Sequence, residues 1–101
     1  MEQKSFKTAK GRIVYWRNAH RPGRPHLVFL PGLTADHRLF DRQVAFFEDS
    51  CNVLVWDAPG HGLSRPFDLD FSLMDKASWL HDILEQEQME RPVLVGQSMG
   101  G

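Results

Sequence analysis

The residues best suited to covalent chemistry are Gly96-Gln97-Ser98-Met99-Gly100, a G-x-S-x-G pattern near the end of the sequence. The pattern follows an apolar run that ends at Val95, and it is typical of a strand that turns sharply into a helix with a serine at the apex. Glycines on both sides of the serine remove side chains that would collide in so tight a turn. We therefore predict that Ser98 is a nucleophile for acyl transfer. The alternative is a glycine-rich turn with an incidental serine.

A second loop, Leu30-Pro31-Gly32-Leu33-Thr34, follows an earlier apolar run. Acyl transfer needs hydrogen-bond donors for the developing oxyanion, and these are usually two backbone N–H groups. One donor is predicted at Met99, directly after the nucleophile, and the other at Leu33, where Gly32 lets the backbone come close. The alternative is an ordinary Pro-Gly turn.

Other residue types that carry catalysis are present but less well placed. His61 lies in the loop 57–64, which contains two glycines and a proline, and we interpret it as structural or solvated rather than as a general base. The other histidines lie in a turn, at the start of a strand or in helical stretches: His20, His26, His37 and His81. Cys51 is interpreted as a small buried residue. Carboxylates such as Asp68, Asp70 and Glu85 show no paired spacing, so the sequence predicts neither a metal site nor a cofactor.

The elements that must position these loops follow from the apolar patterns. Short apolar runs predict buried strands at residues 26–30, 52–56 and 92–95. They alternate with two helical stretches, one from Asp36 to about Glu48 and one that a capping box at 72–75 opens and that runs to about Met89. Residues 5–9 and 12–17 predict a hairpin before them. In such an open sheet the chemistry lies beyond the carboxyl ends of the parallel strands, where the three loops are.

Composition limits the classes of function. The 101 residues allow one domain, and 42% hydrophobic residues favour a folded chain over disorder. A net charge of −1 argues against nucleic acid or a membrane surface as the partner. No apolar run approaches the roughly 20 residues that span a bilayer. The polar N-terminus lacks the apolar segment of a secretory signal, so we predict a cytoplasmic protein with a small-molecule substrate.

Taken together, three segments resemble the α/β-hydrolase superfamily: residues 27–32, 57–64 and 95–101. The resemblance implies the N-terminal part of an α/β-hydrolase fold, a mostly parallel sheet with an antiparallel N-terminal hairpin and flanking helices. It also implies that Ser98 is the nucleophile and that the backbone N–H groups of Leu33 and Met99 form the oxyanion hole. The family more often has His-Gly where this chain has Pro31-Gly32.

The family's chain order implies that this segment lacks part of the catalytic machinery. The acid and the histidine follow the serine in that order, and three residues follow Ser98 here. We therefore expect residues 1–101 to be the N-terminal segment of a single hydrolase domain, with the acid and histidine beyond residue 101. On its own the segment is expected to be inactive and poorly folded, with an exposed edge strand at 92–96.

Three functions are compatible with these residues. The first is a hydrolase of small carboxylic esters, thioesters or lactones that works through an acyl-enzyme. The Ser-Met-Gly-Gly ending resembles small-molecule members of the family such as carboxylesterases and enol-lactonases. The second is a C–C or C–O lyase of the same fold that forms no acyl-enzyme, like the related lyases of menaquinone synthesis. The third is a non-catalytic member that binds a ligand or a partner.

Overall fold

A computed structural model describes residues 1–97 as a single sheet with helices on its faces. The sheet has five strands in the order β1-β2-β4-β3-β5. β1 and β2 form an antiparallel hairpin, β2 pairs antiparallel with β4, and β3 pairs parallel with both β4 and β5. The α/β architecture with an N-terminal hairpin is confirmed. The strands are β1 (Glu2–Lys7), β2 (Arg12–Arg17), β3 (His26–Leu30), β4 (Asn52–Trp56) and β5 (Val93–Gly96), and the α-helices are α1 (Asp41–Phe47) and α2 (Leu73–Gln86).

β4 is the central strand, and all five of its residues are buried. Burial on both faces is what its uninterrupted apolar sequence predicts. On one face Leu54 and Trp56 pack with Ile83 of α2, and on the other Val53 and Val55 pack on the α1 side. Cys51, just before β4, is buried in the second cluster, as predicted.

The first helical segment is divided rather than continuous. A 3-10 turn at His37–Phe40 precedes α1, whereas we predicted one helix from Asp36 to Glu48. The Asp36 side chain accepts a hydrogen bond from the Arg38 amide, and the Leu39 amide reaches the Asp36 carbonyl in an i to i−3 bond. These bonds wind the first turn more tightly than an α-helix.

α2 begins where predicted and ends earlier. The Ser72 hydroxyl accepts a hydrogen bond from the Asp75 amide, and the Asp75 carboxylate accepts one from the Ser72 amide, which makes a complete capping box. The helix ends at Gln86, three residues before the predicted Met89. Gln88 has a φ of +58°, a left-handed conformation that stops the helix and turns Met89 back into the core.

A cluster of polar side chains is buried where α2 ends against the hairpin. The Glu87 carboxylate accepts hydrogen bonds from the Tyr15 hydroxyl (2.5 Å) and Arg17 Nη1 (3.3 Å), and it lies 2.9 Å from Lys4 Nζ. Arg17 Nη1 also donates to the Glu87 carbonyl at 2.9 Å. Burial raises the pKa of Glu87, but the hydrogen bonds from Lys4, Tyr15 and Arg17 and the charge of Lys4 together outweigh it, so the pKa is below its usual value. Burial, with the hydrogen bond to Glu87, raises the pKa of Tyr15.

β5 is the exposed edge strand that we expected at 92–96 and not the buried strand that the apolar run at 92–95 predicted. It begins at Val93, and the side chains of Val93 and Leu94 are 56% and 52% exposed. Within residues 1–97 it pairs with β3 alone and is an edge strand, so its apolar residues have few partners. In the part of the chain that is described, no helix is long and apolar enough to cross a membrane.

Candidate active site

The loops that follow β3, β4 and β5 meet at one edge of the sheet, because these strands are parallel. The Gln97 amide donates to the Leu30 carbonyl at 3.2 Å, which continues the β3–β5 pairing past the end of β5. In return, the Gly32 amide donates to Gln97 Oε1 at 3.3 Å. The loop predicted to supply an oxyanion donor is therefore bound to the residue that precedes Ser98.

Residues 31–36, where the sequence predicts an oxyanion donor at Leu33, are hereafter called the oxyanion loop. The Ala35 amide donates to the Gly32 carbonyl at 3.1 Å, and Thr34 has a φ of +66°, so the backbone turns tightly around Leu33. The Leu33 side chain is 61% exposed, and its amide has no acceptor among residues 1–97. Ser98 and Met99 lie outside the described residues, so the nucleophile and the second donor stay predictions.

The Asp57 carboxylate binds the oxyanion loop to the loop after β4. Asp57 follows β4 and is fully buried. Its Oδ1 accepts hydrogen bonds from the His37 amide (2.7 Å) and His37 Nδ1 (2.9 Å), and its Oδ2 accepts one from the Leu63 amide (2.8 Å). Three donors satisfy the buried carboxylate, as burial of such a group requires.

Ser64 fixes the same loop to the hairpin. Its hydroxyl donates to the Asp57 carbonyl at 2.6 Å and accepts from the Val14 amide at 2.8 Å. Ser64 is therefore a structural serine that joins β2 to the loop. His61 Nδ1 lies 3.2 Å from the Pro59 carbonyl oxygen, which fits the structural interpretation of this histidine.

Gly62 contacts the Asp57 carboxylate so closely that no side chain fits. A Cβ atom at this position would lie 2.3 Å from Asp57 Oδ2, and the φ of Gly62 is +49°. Gly23 also has a positive φ, +77°, but a Cβ there would meet nothing within 4 Å. The two glycines thus separate the effect of backbone strain from that of a steric clash.

We expect Gly62→Ala to lower the free energy of unfolding by about 3 kcal/mol, from left-handed strain and disturbed hydrogen bonds to Asp57. Gly23→Ala, the matched control, should lower it by about 1 kcal/mol through strain alone. Urea unfolding of the full-length protein and of its two variants measures both losses of free energy. Equal losses would show that the clash at Asp57 is relieved at no cost.

The pairing of His37 with Asp57 was not predicted from the sequence. The His37 ring also stacks on Trp16 of β2, with ring centroids 3.7 Å apart. We judged His37 by its helical surroundings, whereas its position directly after a loop at the carboxyl edge was the informative signal. Because β3 and β4 are neighbours, the residues that follow them are brought together.

Oxygen and nitrogen atoms of Asp36, His37 and Asp57 lie within 4.8 Å of one another, which is close enough to surround a cation. All three side chains already have protein partners, however. Asp36 binds the Arg38 guanidinium with both carboxylate oxygens, and these hydrogen bonds lower the pKa of Asp36 to about 2. The group therefore fits internal pairing better than metal binding.

Comparison with known proteins identifies the family. The model of the alpha/beta hydrolase family matches residues 27–101, which covers β3 to the end of the sequence. The chain belongs to the alpha/beta hydrolase family. The matched range contains all three loops of the site.

Individual relatives agree with this assignment. The chain is 30% identical over 95 residues to an uncharacterized hydrolase, YugF, of Bacillus subtilis (strain 168), covering 93% of this chain and 35% of that protein. It is 28% identical over 98 residues to 3-oxoadipate enol-lactonase 2 of Acinetobacter baylyi, again covering 93% and 35%. The chain thus spans about a third of the length of these relatives.

A solved structure shows the same fold. An AqdC variant that cleaves the ring of the Pseudomonas quinolone signal superposes with a TM-score of 0.85 at 22% identity, covering 99% of this chain and 37% of that one. At this identity the likeness extends to the fold alone.

Proposed function

We propose that this chain forms the nucleophile and oxyanion part of a serine hydrolase that acts on small carboxylic esters, thioesters or lactones. The observation that carries the proposal is the hydrogen bond from the Gly32 amide to Gln97 Oε1, 3.3 Å long. It joins the oxyanion loop to the residue before Ser98, and acyl transfer needs the oxyanion donors to lie beside the nucleophile. The family match and the hydrolase relatives support a hydrolase of this fold.

In the proposed mechanism the Ser98 hydroxyl attacks the substrate carbonyl and a histidine takes its proton. The negative charge that develops on the carbonyl oxygen is stabilised by the N–H groups of Leu33 and Met99. Collapse of the tetrahedral intermediate expels the alcohol, thiol or ring oxygen, which receives the proton from the histidine. Water then hydrolyses the acyl-enzyme by the same steps and frees Ser98.

The proposal assigns the histidine and its acid to polypeptide beyond residue 101. The His37–Asp57 pair of this chain is not suited to the role, since His37 stacks on Trp16 of β2. β2 lies three strands from β5, the strand that leads to Ser98. Because neighbouring strands are about 4.8 Å apart, β2 and β5 are about 14 Å apart. The enol-lactonase relatives favour small esters and lactones as the substrate class. The cytoplasmic location stays a prediction.

A fluorophosphonate probe tests the proposal on the full-length protein that contains this chain. The probe should form a covalent adduct that peptide mass spectrometry places on Ser98, and Ser98→Ala should abolish the adduct. With ester substrates, rapid quenching should trap an acyl group on the same residue. Labelling without any acyl intermediate during turnover would favour the lyase alternative. Absence of labelling in a folded protein would overturn the proposal.

A further inference from the structure

We propose that Asp57 and His37 form a tether that positions the oxyanion loop for catalysis. The role of the tether in the reaction rests on the proposed function, whereas its mechanical role does not. The loop is attached at both ends. At its start the Gly32 amide binds Gln97 Oε1, and directly after its end the His37 amide and ring both bind Asp57.

The anchor of this tether is rigid. The Asp57 carboxylate is fully buried, follows the central strand and is also held by the Leu63 amide at 2.8 Å. The Asp57 carboxylate occupies space that a side chain at position 62 would fill, and Gly62 leaves that space free. The Asp57 amide donates to the Val14 carbonyl at 2.9 Å, which continues the pairing of β4 with β2. His37 is therefore bound to a residue that pairs with the sheet itself rather than to another loop.

The His37 ring is held on a second side by an aromatic stack. Its plane lies 26° from that of Trp16, with centroids 3.7 Å apart. Trp16 is opposite Val55 of β4 in the register, so the stack and the carboxylate bind the ring to adjacent strands. With Nδ1 protonated the ring donates to Asp57, and this orientation is available to the neutral and to the charged imidazole.

Such a tether matters because an oxyanion donor must lie within a narrow range of distances. Displacement by about 1 Å can reduce the rate by about 100-fold. Between its two attachments the loop has one internal hydrogen bond, from Ala35 to Gly32, and a left-handed residue at Thr34. Weakening the Asp57 attachment would leave the end of the loop held by the Trp16 stack and the 3-10 turn that follows, without the hydrogen bond from the ring to the buried carboxylate.

Two substitutions separate the hydrogen bond from the stack. His37→Phe keeps a ring on Trp16 and removes the Nδ1 donor to Asp57, whereas the backbone amide of residue 37 can still bind the carboxylate. His37→Asn places an amide donor near the position of Nδ1 and removes the ring. His81→Phe is the matched control, because His81 is an exposed histidine of α2 that pairs with Glu85 at 3.2 Å.

Amide hydrogen exchange of the full-length protein measures the mechanical role. His37→Phe should speed exchange at Gly32, Ala35 and His37 by about tenfold, the effect of losing one hydrogen bond to a charged group. His37→Asn and His81→Phe should leave these amides close to the wild type, and exchange in the hairpin should not change. Unchanged exchange in His37→Phe would overturn the tether, whether or not the protein is a hydrolase.

Kinetics measure the catalytic role. His37→Phe should lower kcat for an ester by about 10- to 100-fold with little change in KM, because a displaced donor acts on the transition state. His37→Asn should restore most of the loss. If exchange quickens while kcat is unchanged, the tether does not position the donor and that part of the inference fails. If the fluorophosphonate does not label the wild-type protein, the proposed function is refuted. The mechanical role of the tether is not, because amide hydrogen exchange measures it independently.

Discussion

Ser98→Ala is expected to reduce kcat for ester hydrolysis by the full-length protein on the order of 10⁶-fold, because the nucleophile of an acyl-enzyme mechanism cannot be replaced by the neighbouring groups. KM should change little, since the hydroxyl contributes mainly to the transition state. Initial rates with a chromogenic short-chain ester measure the effect, and circular dichroism verifies that the variant is folded.

Ser50→Ala is the control for Ser98→Ala. Ser50 is an exposed serine between α1 and β4, at the opposite edge of the sheet, and its removal should leave kcat unchanged.

Residues 1–101 expressed alone should show no turnover, since the histidine is expected beyond them. Turnover by residues 1–101 that Ser98→Ala abolishes would contradict that expectation, and a Ser98→Ala variant as active as the wild type would contradict the mechanism.

Glu87→Ala is expected to lower the free energy of unfolding by about 3–5 kcal/mol, the usual effect of removing one partner of a buried ion pair. Its side chain is 4% exposed and is bound by Lys4, Tyr15 and Arg17. Removal leaves the Arg17 guanidinium buried without its counter-charge and the Tyr15 hydroxyl without its acceptor. Glu85→Ala is the control, because Glu85 is exposed and pairs with His81. An exposed pair of this kind contributes about 0.5 kcal/mol to the free energy of unfolding.

The pH dependence of this loss gives a second measurement. The pKa of Glu87 in the folded protein lies below its ordinary value of 4.5, so the charged form is the one that folding favours. Its contribution is therefore complete above about pH 4.5 and is lost as the pH falls through the lowered pKa. The stability difference between wild type and Glu87→Gln should shrink in acid. A difference that is constant from pH 7 down to pH 3 would contradict the assignment.

The strands and the loop cluster could be predicted because their signals are local. The apolar runs at 26–30 and 52–56 match β3 and β4 residue for residue, and the capping box at Ser72 marks the start of α2. Parallel order then places the following loops at one edge without further information. The contact of Gly32 with Gln97 follows from that order.

The features that the sequence did not reveal depend on contacts distant along the chain. Glu87 is 72 residues from Tyr15, so nothing near it indicates that the residue after α2 lies in a buried polar cluster. The apolar run at 92–95 alone predicted burial, and the exposure of Val93 and Leu94 was expected only from the edge position that the family resemblance implied. His37 and Asp57 are 20 residues apart, and their pairing needs β3 and β4 to be neighbours.

Cys51 makes the opening of this sheet measurable with simple reagents. It is the one cysteine among the 101 residues, and its thiol is buried at the entry to β4. A buried thiol reacts with an alkylating reagent when the structure around it opens, so the alkylation rate counts those openings. The alkylation rate of Cys51 thus reports how often the structure around the central strand opens, and no second thiol in these residues contributes to the signal.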